Sequence, residues 1–103
     1  MTVHKDLSKG RWFTLTLSEQ LGHTGSEFSR VRSWTRKGDQ KKSEAALARF
    51  LELMDLTICD PRWFGGRRRE LARVREQALL EIERPDTSSL HKYFERFAFL
   101  ARQ

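Results

Sequence analysis

The sequence is poor in residues that cross-link or interrupt a chain, with one cysteine and two prolines among 103 residues. The single cysteine, Cys59, excludes an intramolecular disulfide, so nothing argues for secretion. Its neighbours Leu56 and Ile58 predict a buried thiol. No apolar run approaches the ~20 residues that span a membrane. Residues 1–9 lack the apolar core of a signal peptide. We therefore expect a soluble, cytoplasmic protein with no membrane partner.

Motifs for metals, nucleotides or a catalytic nucleophile are also missing. The three histidines, His4, His23 and His91, are too scattered for metal-ligand spacing. There is no Gly-rich phosphate loop, no cysteine pair for zinc and no defensible Ser/His/Asp arrangement. We therefore expect no metal and no cofactor. We also predict that the protein is not an enzyme, with one alternative described below.

What the sequence contains favours one folded domain. Eleven aromatic residues and a hydrophobic fraction of 38% supply a core, while 33% of the residues are charged. This length suits a single core. Residues 1–11 are polar and unpatterned, which predicts a flexible N-terminal arm. Residues 12–103 form the predicted domain.

Apolar residues spaced by three and four positions predict four amphipathic helices. These helices are Leu15–Lys37, Gln40–Cys59, Arg67–Glu83 and Ser88–Ala101. No segment alternates like a half-buried strand. Since the connections are short, neighbouring helices should be antiparallel. The sequence therefore predicts an all-α, antiparallel up-and-down bundle of about four helices.

Two glycines, Gly22 and Gly25, lie beside the apolar stripe of the first helix. Each weakens a helix by about 1 kcal/mol relative to alanine. Their presence indicates either the close approach of a neighbouring helix or a kink.

The net charge is +6, and 14 of the 20 basic residues are arginine, which favours a polyanionic partner. Two basic groups are predicted to bind nucleic acid. The hairpin group is Arg32, Trp34, Arg36, Lys37, Lys41 and Lys42, and the second group is Arg67, Arg68 and Arg69. Trp34 either stacks on an exposed base or packs at the edge of the bundle. The second group lies at a helix start, where cations are disfavoured, so it indicates an external anion or acidic neighbours such as Glu70 and Glu76.

Two acids interrupt apolar stretches, Glu27 and Asp55. A buried carboxylate requires a partner. Arg30 lies one turn from Glu27, and either Arg73 or Arg75 can reach Asp55 across the bundle. We predict one structural ion-pair network from these residues.

The pair Arg84 and His91, separated by six residues, resembles the catalytic signature of the helical nuclease family called HEPN. That resemblance implies an arginine that steadies phosphate charge and a histidine that moves a proton during RNA cleavage. Pro85 departs from the polar residue that the motif favours. A ribonuclease that uses Arg84 and His91 is therefore an alternative function.

Three segments, residues 21–30, 52–60 and 69–76, resemble a family of small helical proteins without a known activity. In architecture and charge the chain is also similar to the rRNA intervening-sequence proteins and to the accessory variability determinants of diversity-generating retroelements. Those are small basic four-helix bundles, and the retroelement proteins form ring-shaped partners of a reverse transcriptase and its RNA. The similarity implies a fold, and no site residue is transferred from it.

The first functional hypothesis is a non-catalytic helical module that forms a homo-oligomer and binds RNA or DNA phosphates, as an accessory subunit of a nucleic-acid enzyme. Trp12, Trp63 and Phe64 are predicted to be exposed and to seal the interface between protomers. The other alternative is an assembly or antitoxin-like module with a protein partner and no affinity for nucleic acid.

Overall fold

The computed structural model describes residues 10–84 and 89–102. This part of the chain contains four α-helices, two short 3-10 helices and no strand. In order they are a 3-10 helix at Arg11–Thr14, α1 at Leu17–Arg36, α2 at Gln40–Ile58, a 3-10 helix at Pro61–Trp63, α3 at Gly66–Glu83 and α4 at Ser89–Ala101. The prediction of an all-α bundle is confirmed. Most of the predicted N-terminal arm lies outside the described residues, and Arg11 already belongs to a helix.

Side-chain caps set the ends of the first two helices. At the start of α1, the Glu19 amide donates to Thr16 Oγ1 at 3.1 Å, and the Thr16 amide donates to Glu19 Oε1 at 2.9 Å. This capping box places the start of α1 two residues after the predicted one. Gly38 ends the turn after α1 with a φ of 76°, and the Asp39 carboxylate then caps α2.

Helix α1 lies between α2 and α4 and is antiparallel to both. Three aromatic rings, one from each of these helices, form the centre of the core. Phe28 on α1 lies 5.6 Å from Phe50 on α2 and 5.4 Å from Phe94 on α4, measured between ring centroids. Leu71 and Val74 on α3 complete the same cluster. All four helices therefore share one core.

The two glycines of α1 allow α4 to approach closely. A Cβ atom at Gly25 would lie 2.4 Å from the Cβ of Phe94, and one at Gly22 would lie 3.3 Å from the Cα of Ala98. Helix α1 continues through both positions. Close approach, rather than a break in the helix, therefore explains why glycine occupies these positions.

A buried carboxylate that the sequence analysis did not single out joins α3 to α4. Glu81 is 1% exposed, and its Oε1 accepts from the amide of Leu90 at 3.2 Å. Its Oε2 accepts from Gln77 Nε2 at 3.1 Å. An anion at the first turn of a helix is stabilised by the exposed amides and by the helix dipole. Glu81 therefore holds the start of α4 against α3.

Three predictions of burial were wrong or only partly right. Trp12 was expected at the surface but is 0% exposed, because its indole Nε1 donates to Thr57 Oγ1 at 3.1 Å under the end of α2. Cys59 was expected to be buried but is exposed, because α2 ends at Ile58 and the thiol lies on the turn that follows. Of the other two aromatic residues predicted to be exposed, Phe64 is 74% exposed as expected, whereas Trp63 is half-buried.

We predict that Gly25→Ala lowers the free energy of unfolding by about 2 kcal/mol, because the added methyl group overlaps Phe94 in a packed interface. Urea denaturation measures the loss. Gly66→Ala is the matched control, since a Cβ at Gly66 meets no atom within 4 Å. A Gly25→Ala protein as stable as the control would contradict the close packing of α1 and α4.

Candidate nucleic-acid interface

The two predicted basic groups lie at opposite ends of the bundle. The hairpin group flanks the connection between α1 and α2, whereas the second group begins α3, just after α2 ends. Helix α2 has 19 residues and separates the two ends by about 28 Å. The groups therefore form two distinct surfaces.

The tight connection between α1 and α2 determines the shape of the hairpin group. The Asp39 amide donates to the carbonyl of Trp34 at 3.0 Å, and the Lys37 amide donates to the carbonyl of Ser33 at 3.1 Å. Across the hairpin, the hydroxyl groups of Thr35 and Ser43 lie 2.7 Å apart. These bonds fix the last turn of α1 against the first turn of α2.

Two lysines from the two sides of this hairpin meet over one aromatic ring. Lys37 Nζ lies 4.8 Å from the centroid of the Trp34 ring, and Lys42 Nζ lies 4.4 Å from it. Both are within the range of a cation–π interaction. Trp34 itself is half-buried, and both lysines are exposed. The ring therefore gathers two ammonium groups while leaving them in contact with solvent.

Few acids lie within the hairpin segment itself. Residues 32–44 contain five cations and two carboxylates, which accounts for half of the net charge of the chain. Asp39 lies 3.9 Å from Lys42 Nζ, and the other acid, Glu44, accepts from Gln40 Nε2 at 3.1 Å. Arg36 and Lys41 are exposed. The hairpin therefore carries a surplus of accessible positive charge.

Arg32 differs from the other members of the hairpin group. Its side chain is half-buried, and its guanidinium carbon lies 5.9 Å from the ring centroid of the core residue Phe28. It also makes a further interaction within the structure. Arg32 therefore stands at the edge of the core, apart from the cations around Trp34.

At the start of α3, two of the three predicted arginines have partners within the protein. Arg68 is half-buried and donates through NH2 to the carbonyl of Asp60 at 3.1 Å. Arg67 NH1 lies 3.8 Å from Glu70 Oε2. Glu70, one of the two acids expected near this group, is therefore the partner of Arg67. Glu70 also accepts from the hydroxyl of Tyr93 at 2.9 Å. Burial, and then this carboxylate, raise the pKa of Tyr93.

Arg69 is the exposed exception in the second group. Within residues 10–84 and 89–102 it has no hydrogen bond or ion pair from its side chain. The second group therefore offers less available charge than the hairpin group.

A buried carboxylate between α2 and α3, which was not among the predicted site residues, organises this end of the bundle. The side chain of Asp60 is 1% exposed. It accepts from Arg62 NH2 at 2.7 Å and from Gln20 Nε2 at 2.9 Å. Burial alone would raise the pKa of Asp60, but the bonds from Arg62 and Gln20 outweigh it and lower the pKa to about 2.

The same network extends to the two neighbouring tryptophans. Trp63 Nε1 donates to Gln20 Oε1 at 2.8 Å, and Gln20 Nε2 donates to the carbonyl of Trp12 at 2.9 Å. Arg62 NH2 also reaches the carbonyl of Leu15 at 2.6 Å. In the sequence, the signal for a capping role of Asp60 was the run Asp60-Pro61-Arg62, since an aspartate before proline caps a short helix.

The predicted ion pairs form two separate sets instead of one network. Glu27 is buried, and its carboxylate lies 2.6 Å from Arg30 NH1 and 3.1 Å from Arg49 Nε. Arg49, from α2, was not predicted. Asp55 is exposed and lies 2.8 Å from Arg75 Nε.

Arg73 is exposed on α3, and no ion pair includes it in the described part of the chain. The predicted contact between Asp55 and Arg75 is therefore present, but it lies at the surface and not within the core.

The residues of the alternative nuclease site lie on separate elements. His91 Nε2 is 3.7 Å from Glu95 Oε2 on the same helix. Both line a groove of about 260 Å³ between α1 and α4, and Arg84, at the end of α3, does not line it. Pro85 lies outside the described residues. Within those residues, no cluster of histidine, cysteine or acidic side chains could hold a metal ion.

No protein-family model, no curated protein and no solved structure matches this chain. The resemblances stated from the sequence therefore remain expectations. None of the described helices is both long enough and apolar enough to cross a membrane.

We predict that Asp60→Asn lowers the free energy of unfolding by about 3 kcal/mol at neutral pH, because the amide at this buried position loses the charge-assisted hydrogen bonds that the carboxylate accepts from Arg62 and Gln20. The wild-type carboxylate has a folded pKa of about 2 and an ordinary value of 3.8. Its contribution is therefore complete above about pH 4 and is lost as the pH falls toward 2. Denaturant titrations at several pH values should show a smaller acid-induced loss in the variant.

Asp55→Asn provides the control, because it breaks an exposed Asp–Arg pair and should cost less than about 1 kcal/mol. If the two variants lost the same free energy of unfolding, the buried bonds of Asp60 would contribute no more to stability than an exposed ion pair.

Proposed function

We propose that this protein is a non-catalytic helical module that binds the phosphate backbone of nucleic acid through the hairpin between α1 and α2. One observation carries the proposal. Lys37 and Lys42 are exposed and are held over Trp34, beside the exposed Arg36 and Lys41. Fixed, accessible cations in excess of nearby acids match the regular negative charge of RNA or DNA.

The hairpin supports this function better than the start of α3. At the α3 end, Arg68 donates to the Asp60 carbonyl and Arg67 lies beside Glu70. A partner anion would have to compete with both contacts. Exposed arginines such as Arg69 and Arg73 add to the long-range attraction for a polyanion without defining a second site.

The test compares the Lys37→Gln/Lys42→Gln variant with the wild-type protein by fluorescence anisotropy on labelled RNA and DNA. We expect the double variant to bind about tenfold more weakly at about 50 mM salt. The logarithmic dependence of affinity on salt should become shallower by nearly 2, because each phosphate contact contributes about 0.9 to that slope on duplex DNA.

Arg69→Gln/Arg73→Gln is the matched control, since it removes two exposed cations from the first half of α3, at the other end of the bundle. It should leave the affinity within about twofold. The proposal is wrong if the wild-type protein binds neither RNA nor DNA at low salt. It is also wrong if the control weakens binding as much as the double variant does.

A further inference from the structure

We infer that Trp34 positions the two lysines and does not stack on a nucleobase, so that the hairpin recognises phosphates irrespective of base sequence or strandedness. The inference rests on the proposed function and concerns how the same surface selects its ligand. It chooses between the two roles that the sequence leaves open for Trp34.

The geometry around the indole supports a positioning role. The ring is half-buried, and the ammonium groups of Lys37 and Lys42 lie over it at 4.8 and 4.4 Å from its centroid. A stacked base requires an open ring face, as on the aromatic platforms of proteins that bind single strands. A base that stacked on a ring face covered by a lysine would therefore have to displace that lysine and lose its cation–π contact.

An ammonium group on an aromatic ring can still bind phosphate. Lysine has three N–H donors, and the quadrupole of the ring holds the charge without accepting those donors as a carboxylate would. A lysine side chain that is already positioned loses less conformational entropy when it binds. The carboxylate of Asp39 lies 3.9 Å from Lys42 Nζ, and most of the Lys42 side chain remains exposed.

The two cations are also close enough together to contact one nucleic-acid strand. Since both ammonium groups lie within 5 Å of the same centroid, they are within about 9 Å of each other. Successive nucleotides of one duplex strand are separated by about 3.4 Å along the helix axis. The two lysines can therefore contact phosphates of neighbouring nucleotides, a pattern that carries no base information.

The experiment measures the affinity of Trp34→Leu for three probes: oligothymidylate, a mixed-sequence DNA duplex of equal length, and inorganic polyphosphate, which has no bases. We expect the variant to bind all three about fivefold more weakly, because each loses the same two positioned cations. Trp34→Phe keeps a ring with a weaker cation–π interaction and should lose about twofold on every probe. Circular dichroism and thermal unfolding verify that both variants fold.

Different outcomes separate the two ideas. If the wild-type protein binds the duplex and polyphosphate but Trp34→Leu loses affinity for oligothymidylate alone, Trp34 stacks on bases and the inference is overturned while the proposed function stands. Unchanged affinity for all three probes in Trp34→Leu also overturns the inference. If the wild-type protein binds none of the probes, the proposed function itself fails. If Trp34→Leu does not fold, the losses of affinity in Trp34→Phe are compared across the three probes. Similar losses on all three support the positioning role, whereas a loss confined to oligothymidylate indicates stacking.

Discussion

The carboxylate of Asp60 is the constraint on which the arrangement of the chain depends. It is buried at the point where α2 ends, and it would be strongly unfavourable there without compensation. Gln20 from α1 and Arg62 from the following turn supply that compensation. Through Gln20 the same network reaches Trp12 and Trp63. One polar centre thereby connects the N-terminal 3-10 helix, α1, α2 and the approach to α3.

The positive side chains at the two ends of α2 differ in how completely the protein itself engages them. Near Asp60, the positive side chains bond to carboxylates and carbonyl groups of the protein, as Arg62 and Arg68 do. Arg62 also lies over the ring of Trp63, at 4.5 Å from its centroid. At the far end of α2, Lys37 and Lys42 lie over the ring of Trp34, and Asp39 lies 3.9 Å from Lys42. An aromatic partner holds a cation without neutralising it. The net charge of the whole chain therefore says less about binding than the identity of each partner does.

Periodicity was sufficient to predict four helices, and the ends of α2 were predicted to within one residue because Asp39 and Asp60-Pro61 are strong local signals. Burial was harder to predict. Cys59 has apolar neighbours, yet it lies past the last turn of α2.

The polar contacts depend on tertiary structure. The partners of Asp60, Glu81 and Glu27 include residues on other elements, and a single sequence does not show which face of one helix meets which face of the next. The lysines around Trp34 were recognised as a group, whereas their common position over the ring depends on the geometry of the hairpin.

The glycine-mediated contact between α1 and α4 has a consequence for the order of folding. Helices α1 and α2 are joined by a very short connection, so their association closes a small loop, whereas α4 must return across α2 and α3 to reach Gly25. The larger loop has the greater entropic cost and closes more slowly. We therefore expect the contacts of α4 with α1 to form later than those between α1 and α2. Until α4 docks, Phe28 and Phe50 lack the ring of Phe94 and are more open to water.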